Sequence, residues 1–200
     1  MKSWVITGGI GCGKSQVINK LATLSLGLVS FSADVIVAEL LKKPLVEKEL
    51  ALVFGKGVLN SNGGGVNREW LREVVLPDPL LRARLESVLH PPVLEALESA
   101  RSVAAAEGRN LFLAEVPLHY EIGATVSADF VIVVASSRSV QVRRMMENRG
   151  LDEQTVHQFL AAQWPIEAKV ERADAVIWND GSLASLEAQV LTLASPLLQA

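Results

Sequence analysis

The sequence predicts an α/β fold in which a mostly parallel five-stranded sheet is flanked by helices. Three observations carry that prediction. Short apolar runs recur at Trp4 to Thr7, Leu28 to Phe31, Leu111 to Glu115, Phe130 to Val134 and Ala175 to Trp178. Being apolar nearly throughout, they suit parallel strands covered on both faces. The stretches between them are long enough for helical crossovers. Finally, the first run opens into Gly8-Gly9-Ile10-Gly11-Cys12-Gly13-Lys14-Ser15, which leads into the helix-compatible stretch Gln16 to Leu24.

Strand, glycine loop, helix is the context that makes G-x-x-x-x-G-K-[S/T] a phosphate-binding loop rather than a glycine-rich turn with a surface lysine. Glycines admit positive φ and let the backbone approach phosphate oxygens. Consecutive N–H groups and the positive end of the following helix then hold the anion. Lys14 is placed to reach the β- and γ-phosphates of a nucleoside triphosphate, and the Ser15 hydroxyl to ligate Mg²⁺. Cys12 occupies an unconstrained position of the loop. It reads as a small filler, or more sharply as a thiolate favoured by the helix N-terminus. As the one cysteine of the chain it excludes a disulfide framework or a cysteine metal cluster.

The second strand runs into Ser32-Ala33-Asp34. Ligands of open α/β sheets bind outside the carboxyl ends of the strands. Asp34 is therefore placed to meet a phosphate acceptor and take its hydroxyl proton. The alternative is that it caps the next helix, Val35 to Leu41. From there to Leu111 the chain reads mainly as helix, punctuated by Pro77, Pro79, Pro91 and Pro92. That is too much for one crossover and predicts an inserted helical subdomain. Within it, Asn60-Ser61-Asn62-Gly63-Gly64-Gly65 reads as a turn or mobile connector. His90, before the proline pair, is a buried polar anchor, a helix terminator or a ligand contact.

The third strand ends in Glu115, a weak Walker-B-like acid able to hold Mg²⁺ directly or through water. Pro117 then sets a rigid turn, with Glu121 one turn onward. A second insertion is expected from Ser137 to Asp174. Its first helix carries Arg138, Arg143, Arg144 and Arg149 and ends near Gly150. Another helix follows, with Asp152 as N-cap. Arginine over a transferring phosphoryl group stabilises transition-state charge; a solvated helix face is the alternative for most of these residues.

Half of the 200 residues are apolar and a fifth are charged, as in an ordinary globular unit. A formal charge of −3 argues against coating nucleic acid. The longest apolar run, Phe130 to Ala135, is too short to span a bilayer. Gly8, Gly9 and Lys14 interrupt any signal-like start. A cytoplasmic protein with neither membrane nor nucleic-acid partner is expected.

Further elements join these in order. They are Thr7 ahead of the loop, Ala33-Asp34, Asn67-Arg68 with Leu71, Leu89-His90-Pro91, Glu115-Val116-Pro117-Leu118 with Glu121, and Gln141 with Arg144. Ala161-Ala162-Gln163, Arg172-Ala173-Asp174 and Val176-Ile177 with Asn179-Asp180-Gly181 complete the series. Together they make nearly the whole chain resemble the dephospho-CoA kinases, which are P-loop small-molecule kinases. The resemblance implies a P-loop NTPase core (about 1–34, 109–136 and 174–200), an inserted helical substrate domain (35–108) and a lid (137–173).

It also implies that MgATP phosphorylates the ribose 3′-hydroxyl of dephospho-CoA, giving coenzyme A and ADP, in a monomer or weak homo-oligomer. On that reading Asp34, Lys14 and Arg144 are catalytic. ATP lies against Gly8, Gly9, Ile10, Gly11, Cys12, Gly13, Lys14, Ser15, Gln16, Arg149 and Asn179. Dephospho-CoA lies against Asp34, Arg68, His90, Pro117 and Glu121, while Ser15 and Glu115 serve Mg²⁺.

The chain departs from the family's pattern at several positions. Ser32 and Trp178 stand where acids are usual, Val170 where a basic residue is common, and Asn148 where an arginine is common. Arg149 follows Asn148, but one helical residue turns a side chain by about 100°. It substitutes only if the helix has unwound by Gly150. Another small P-loop kinase, acting on a nucleoside or nucleotide, and a nucleotide-binding homologue without turnover are the alternatives. Neither a nucleoside nor a nucleotide acceptor accounts for the His-Pro and Val-Pro-Leu elements.

Overall fold

The structure, a computed structural model, describes residues 1–24, 27–61, 64–123 and 126–198. It divides into two compact units, one made of Met1–Phe31 with Ala100–Ala200 and the other of Ser32–Ser99.

In the first unit the strands are β1 (Lys2–Gly8), β2 (Leu28–Ser32, whose last residue opens the second unit), β3 (Leu111–Glu115), β4 (Phe130–Ala135) and β5 (Ala175–Trp178). They lie in the order β2-β3-β1-β4-β5. β1 runs parallel to β3, with Lys2 opposite Leu111, and to β4, with Trp4 opposite Phe130. β4 runs parallel to β5. All five expected strands are present, and β3 and β5 have the expected bounds.

β1 begins two residues before its apolar run because its pairing with β3 starts at Lys2, and on the β4 side a side chain extends the ladder to Ser3. Asp129 donates its N–H to the Ser3 carbonyl, and its carboxylate accepts the Ser3 N–H at 2.7 Å. Asp174 repeats the device one strand over, donating to the Val131 carbonyl and accepting the Val131 N–H at 2.7 Å. Each aspartate thereby sets the register of a neighbouring pair of parallel strands.

Side chains alternate across a strand, and both faces of β4 are covered. Ile132 and Val134 face α1 (Lys14–Ala22) and α9 (Leu183–Leu198), which present Val17 and Leu21, and Leu186, Val190 and Ala194. The four-residue spacings make one apolar stripe per helix. Val133 and Ala135 cluster with Tyr120, and Ile166 and Val170 pack against that cluster. Those two lie on the short α8 (Ile166–Val170), which follows α6 (Arg138–Arg149) and α7 (Glu153–Ala161). α6 stops at Gly150, left-handed at φ 62°, and Asp152 caps α7 by accepting the Thr155 N–H at 2.8 Å, both as the sequence predicts.

The second unit is helical: α2 (Ala33–Leu40), α3 (Pro44–Phe54), α4 (Arg68–Val75) and the greater part of α5 (Pro79–Ala106). Asn67 caps α4 by accepting the Trp70 N–H at 3.0 Å, and Trp70 meets Phe54 edge to face. Of the expected connector, Asn62 and Gly63 lie outside the described residues. At its ends Leu59 bridges Val66, and the Asn60 N–H reaches the Gly65 carbonyl. His90 does not terminate a helix: α5 continues through Pro91 and Pro92. An interior proline removes a helical hydrogen bond, but buried Leu89, Val93 and Leu97 bed the helix on both sides of the pair. Packing outweighs propensity there.

Candidate active site

The glycine loop is shaped by what surrounds it. Gly8, Gly11 and Gly13 have φ of 140°, 77° and 89°. A Cβ on Gly8 would lie 2.1 Å from the Val134 carbonyl oxygen, and one on Gly13 would lie 2.4 Å from Asn179 Nδ2. Glycine is required at both positions on grounds of space as well as conformation. Gly13 is the N-cap of α1, and no side chain caps the helix there. Lys14 folds back, its ammonium donating to the carbonyls of Gly9 at 3.1 Å and Gly8 at 3.4 Å.

Four side chains hold the loop from outside. Asn179, buried at the carboxyl end of β5, donates to the Cys12 carbonyl at 2.8 Å and to Gln16 Oε1 at 3.3 Å. Gln141 Nε2 donates to Cys12 Sγ at 2.8 Å. Gln163 Oε1 accepts the Ile10 N–H at 2.9 Å. Arg144 donates to the Gly11 carbonyl at 3.4 Å and to Ser136 Oγ at 3.2 Å. Cys12 itself is fully buried within the core, the filler of the two readings. Nearby Asp180 accepts from the Ser137 N–H and from Trp178 Nε1. Partial burial pushes its carboxyl up, but these donors and the Arg144 charge outweigh it and hold its pKa below the usual value.

Ser15 is exposed in the first turn of α1, and Glu115 closes β3 opposite Ile6. Among the described residues no group of three or more His, Cys, Asp or Glu side chains gathers to hold a metal. A hydroxyl and one carboxylate nevertheless suit Mg²⁺, a hard cation that takes most of its remaining ligands from phosphates and water.

Arg149 is the last residue of α6, exposed and still helical. The unwinding that would let it replace an arginine at position 148 is therefore not seen, since the αL turn comes one residue later, at Gly150.

In the helical unit, Asp34 is not the cap of α2. Ser32 holds that position, and Asp34 sits exposed in the first turn. It shares a cavity of about 270 Å³ with Val37, Ala38, Leu41, Arg68 and Leu71. Arg68, the first residue of α4, donates to the Ala38 carbonyl at 2.9 Å. The fold thus brings two predicted acceptor-side residues together. His90 is half-buried on α5.

Pro117 and Glu121 belong to a network that includes a residue sequence reasoning missed. Lys169 is fully buried, pairs with Glu121 Oε1 at 2.7 Å and donates to the Pro117 carbonyl at 3.1 Å. Thr7 Oγ1 donates to the same carbonyl at 3.1 Å. Lys169 had one sequence signal: with Ile166 and Val170 it falls on the i, i+3, i+4 stripe that faces a core. Beside it His119 is buried, and its Nδ1 has no hydrogen-bond partner among the described residues. Burial holds its pKa below the usual histidine value; the Lys169 charge adds to this and the Glu121 charge opposes it.

The family model described as CoaE: Dephospho-CoA kinase matches residues 4–185. A dephospho-CoA kinase of Syntrophotalea carbinolica is 36% identical over 195 residues, covering 96% of this chain and 90% of its own. One from Chlorobaculum tepidum is 36% identical over 197 residues, covering 96% and 93%. The crystal structure of TT1252 from Thermus thermophilus superposes with a TM-score of 0.80 at 32% identity, covering 98% of this chain and 96% of that one.

Proposed function

The chain belongs to the dephospho-CoA kinase family, ATP-dependent enzymes that phosphorylate the ribose 3′-hydroxyl of dephospho-CoA, and on that premise we propose how its residues divide the work. In-line phosphoryl transfer asks little covalent chemistry of a protein; positioning and charge stabilisation do most of it. The amides of the Gly8–Gly13 loop and the N-terminus of α1 receive the triphosphate. Lys14 leaves the Gly8 and Gly9 carbonyls to pair with phosphate oxygens. Asp34 accepts the proton of the attacking hydroxyl, and Arg144 stabilises the charge that builds on the transferring group. Mg²⁺, held by Ser15 and Glu115, supplies further neutralisation when bound.

Gln16 and Asn179 complete the nucleotide side, whereas Arg149, still helical at the end of α6, is left out of it. Arg68, His90, Pro117 and Glu121 complete the acceptor side. The reaction belongs in the cytoplasm, with dephospho-CoA as a small-molecule partner. No helix among the described residues is long and apolar enough to cross a membrane.

The observation that carries this division is the uncapped start of α1, where Gly11 and Gly13 turn the backbone at positive φ and Lys14 is within reach. The test is ADP release with ATP and dephospho-CoA, read beside a panel of nucleosides and nucleotides. Turnover with dephospho-CoA that disappears in Lys14→Ala supports the reading. Turnover confined to another acceptor, or surviving Lys14→Ala, overturns it.

A further inference from the structure

A lysine with no exposed surface is costly, because its ammonium must leave water. Lys169 meets that cost with two partners, Glu121 Oε1 at 2.7 Å and the Pro117 carbonyl at 3.1 Å. A well-packed apolar pair often fills such a space with equal or greater stability, so stability alone does not account for the charges. What they connect does.

Two routes run from this pair to the glycine loop. Through the Pro117 carbonyl, Lys169 shares an acceptor with Thr7, the residue before Gly8. Through Glu121, whose Oε1 also accepts the Trp164 N–H at 2.9 Å, it fixes the segment between α7 and α8. The neighbour of Trp164 is Gln163, whose Oε1 accepts the Ile10 N–H. One route ends at the base of the loop and the other near its tip.

We propose that Lys169 is a positioning residue: its buried pair with Glu121 holds Gln163 against Ile10, so that the loop is set before the triphosphate arrives. A loop ordered only on binding charges that ordering to affinity. This inference rests on the glycine loop being the ATP site of the proposed function.

Steady-state kinetics test it. Gln163→Leu removes the acceptor and is expected to raise KM for ATP about fivefold to tenfold, the range of one lost hydrogen bond. kcat should stay within about twofold and KM for dephospho-CoA unchanged. Lys169→Met should move KM for ATP in the same direction. Because both act through one contact, the combined variant should raise it no further than the larger single effect.

An unchanged KM for ATP in Gln163→Leu overturns the proposal, as do effects that multiply in the combined variant. Lys169→Met leaves Glu121 without its countercharge. Should it not fold, Lys169→Met with Glu121→Gln removes both charges and keeps an acceptor for Trp164. A wild-type KM for ATP in that variant also overturns the proposal. If the wild-type protein does not turn over dephospho-CoA, or Lys14→Ala retains activity, it is the reading of the site that fails instead.

Discussion

The side-chain amide of Asn179 donates to the Cys12 carbonyl at 2.8 Å across 167 positions of sequence, and it occupies the space a side chain on Gly13 would need. The end of the edge strand β5 thus sets the last turn of the glycine loop before α1 begins. A strand on the far side of the sheet decides the conformation of a loop at the first strand.

Asn179→Ala leaves the Cys12 carbonyl without this donor. The expected loss is about 1–2 kcal/mol of stability, the usual cost of a polar group stranded in the interior, with a raised KM for ATP. Urea unfolding and initial rates measure the two. Unchanged values in both would mean that the contact does not hold the loop.

Gly8→Ala places a methyl 2.1 Å from the Val134 carbonyl oxygen, in the parallel pair of β1 and β4. A loss of about 3 kcal/mol is expected, from overpacking together with backbone strain. Gly108→Ala is the contrast: its φ is 70°, but its Cβ meets nothing within 4 Å, so only the left-handed conformation, about 1 kcal/mol, is at stake. Equal losses in thermal or urea unfolding would contradict the steric account.

Asp34→Asn keeps the shape of the Asp34–Arg68 cavity and removes the proposed base. kcat is expected to fall by about 10²–10⁴-fold, the usual contribution of general base catalysis, while KM for ATP stays within about twofold. Near-normal turnover would take Asp34 out of the mechanism.

Arg144→Ala is expected to lower kcat by about 10³-fold, at the lower end of the range for arginines on a transferring phosphoryl group. Arg149, exposed at the end of α6, should change KM for ATP by less than about tenfold when replaced by alanine, as befits a solvent-screened contact. The reverse ranking would move the proposed charge-stabilising role to Arg149.

His119 makes stability depend on pH. Burial holds its folded pKa below the ordinary 6.5, so below that value the unfolded chain binds more protons than the folded one. Stability is full above 6.5 and falls as pH drops through it, levelling off below the folded pKa. Asp180 acts in a lower window. Its folded pKa lies below 3.8, so its contribution is present above 3.8 and lost as pH falls through the folded value. Thermal stability should therefore fall as pH drops below 6.5 in the wild type and less so in His119→Leu. Identical profiles would assign the slope to other groups.

The five strands, the glycine loop, the Asp152 cap and the Gly150 stop were all legible in the sequence, because each depends on local pattern. Apolar runs, glycines and capping oxygens act over a few residues and leave a periodic or positional trace. Position along the chain also identified Asp34 and Lys14 as candidates, since the ends of parallel strands are where ligands bind. Other features belonged to the tertiary structure alone. Local pattern led to Asp34 as a possible cap and to His90 as a possible helix end; neighbouring residues and the packing of Leu89, Val93 and Leu97 decided otherwise. Lys169 is buried against Glu121, and Gln163 and Asn179 reach the glycine loop from distant segments. Such contacts join residues whose separation in sequence carries no periodicity, and only the sheet order and the packing of helices upon it bring them within hydrogen-bond reach.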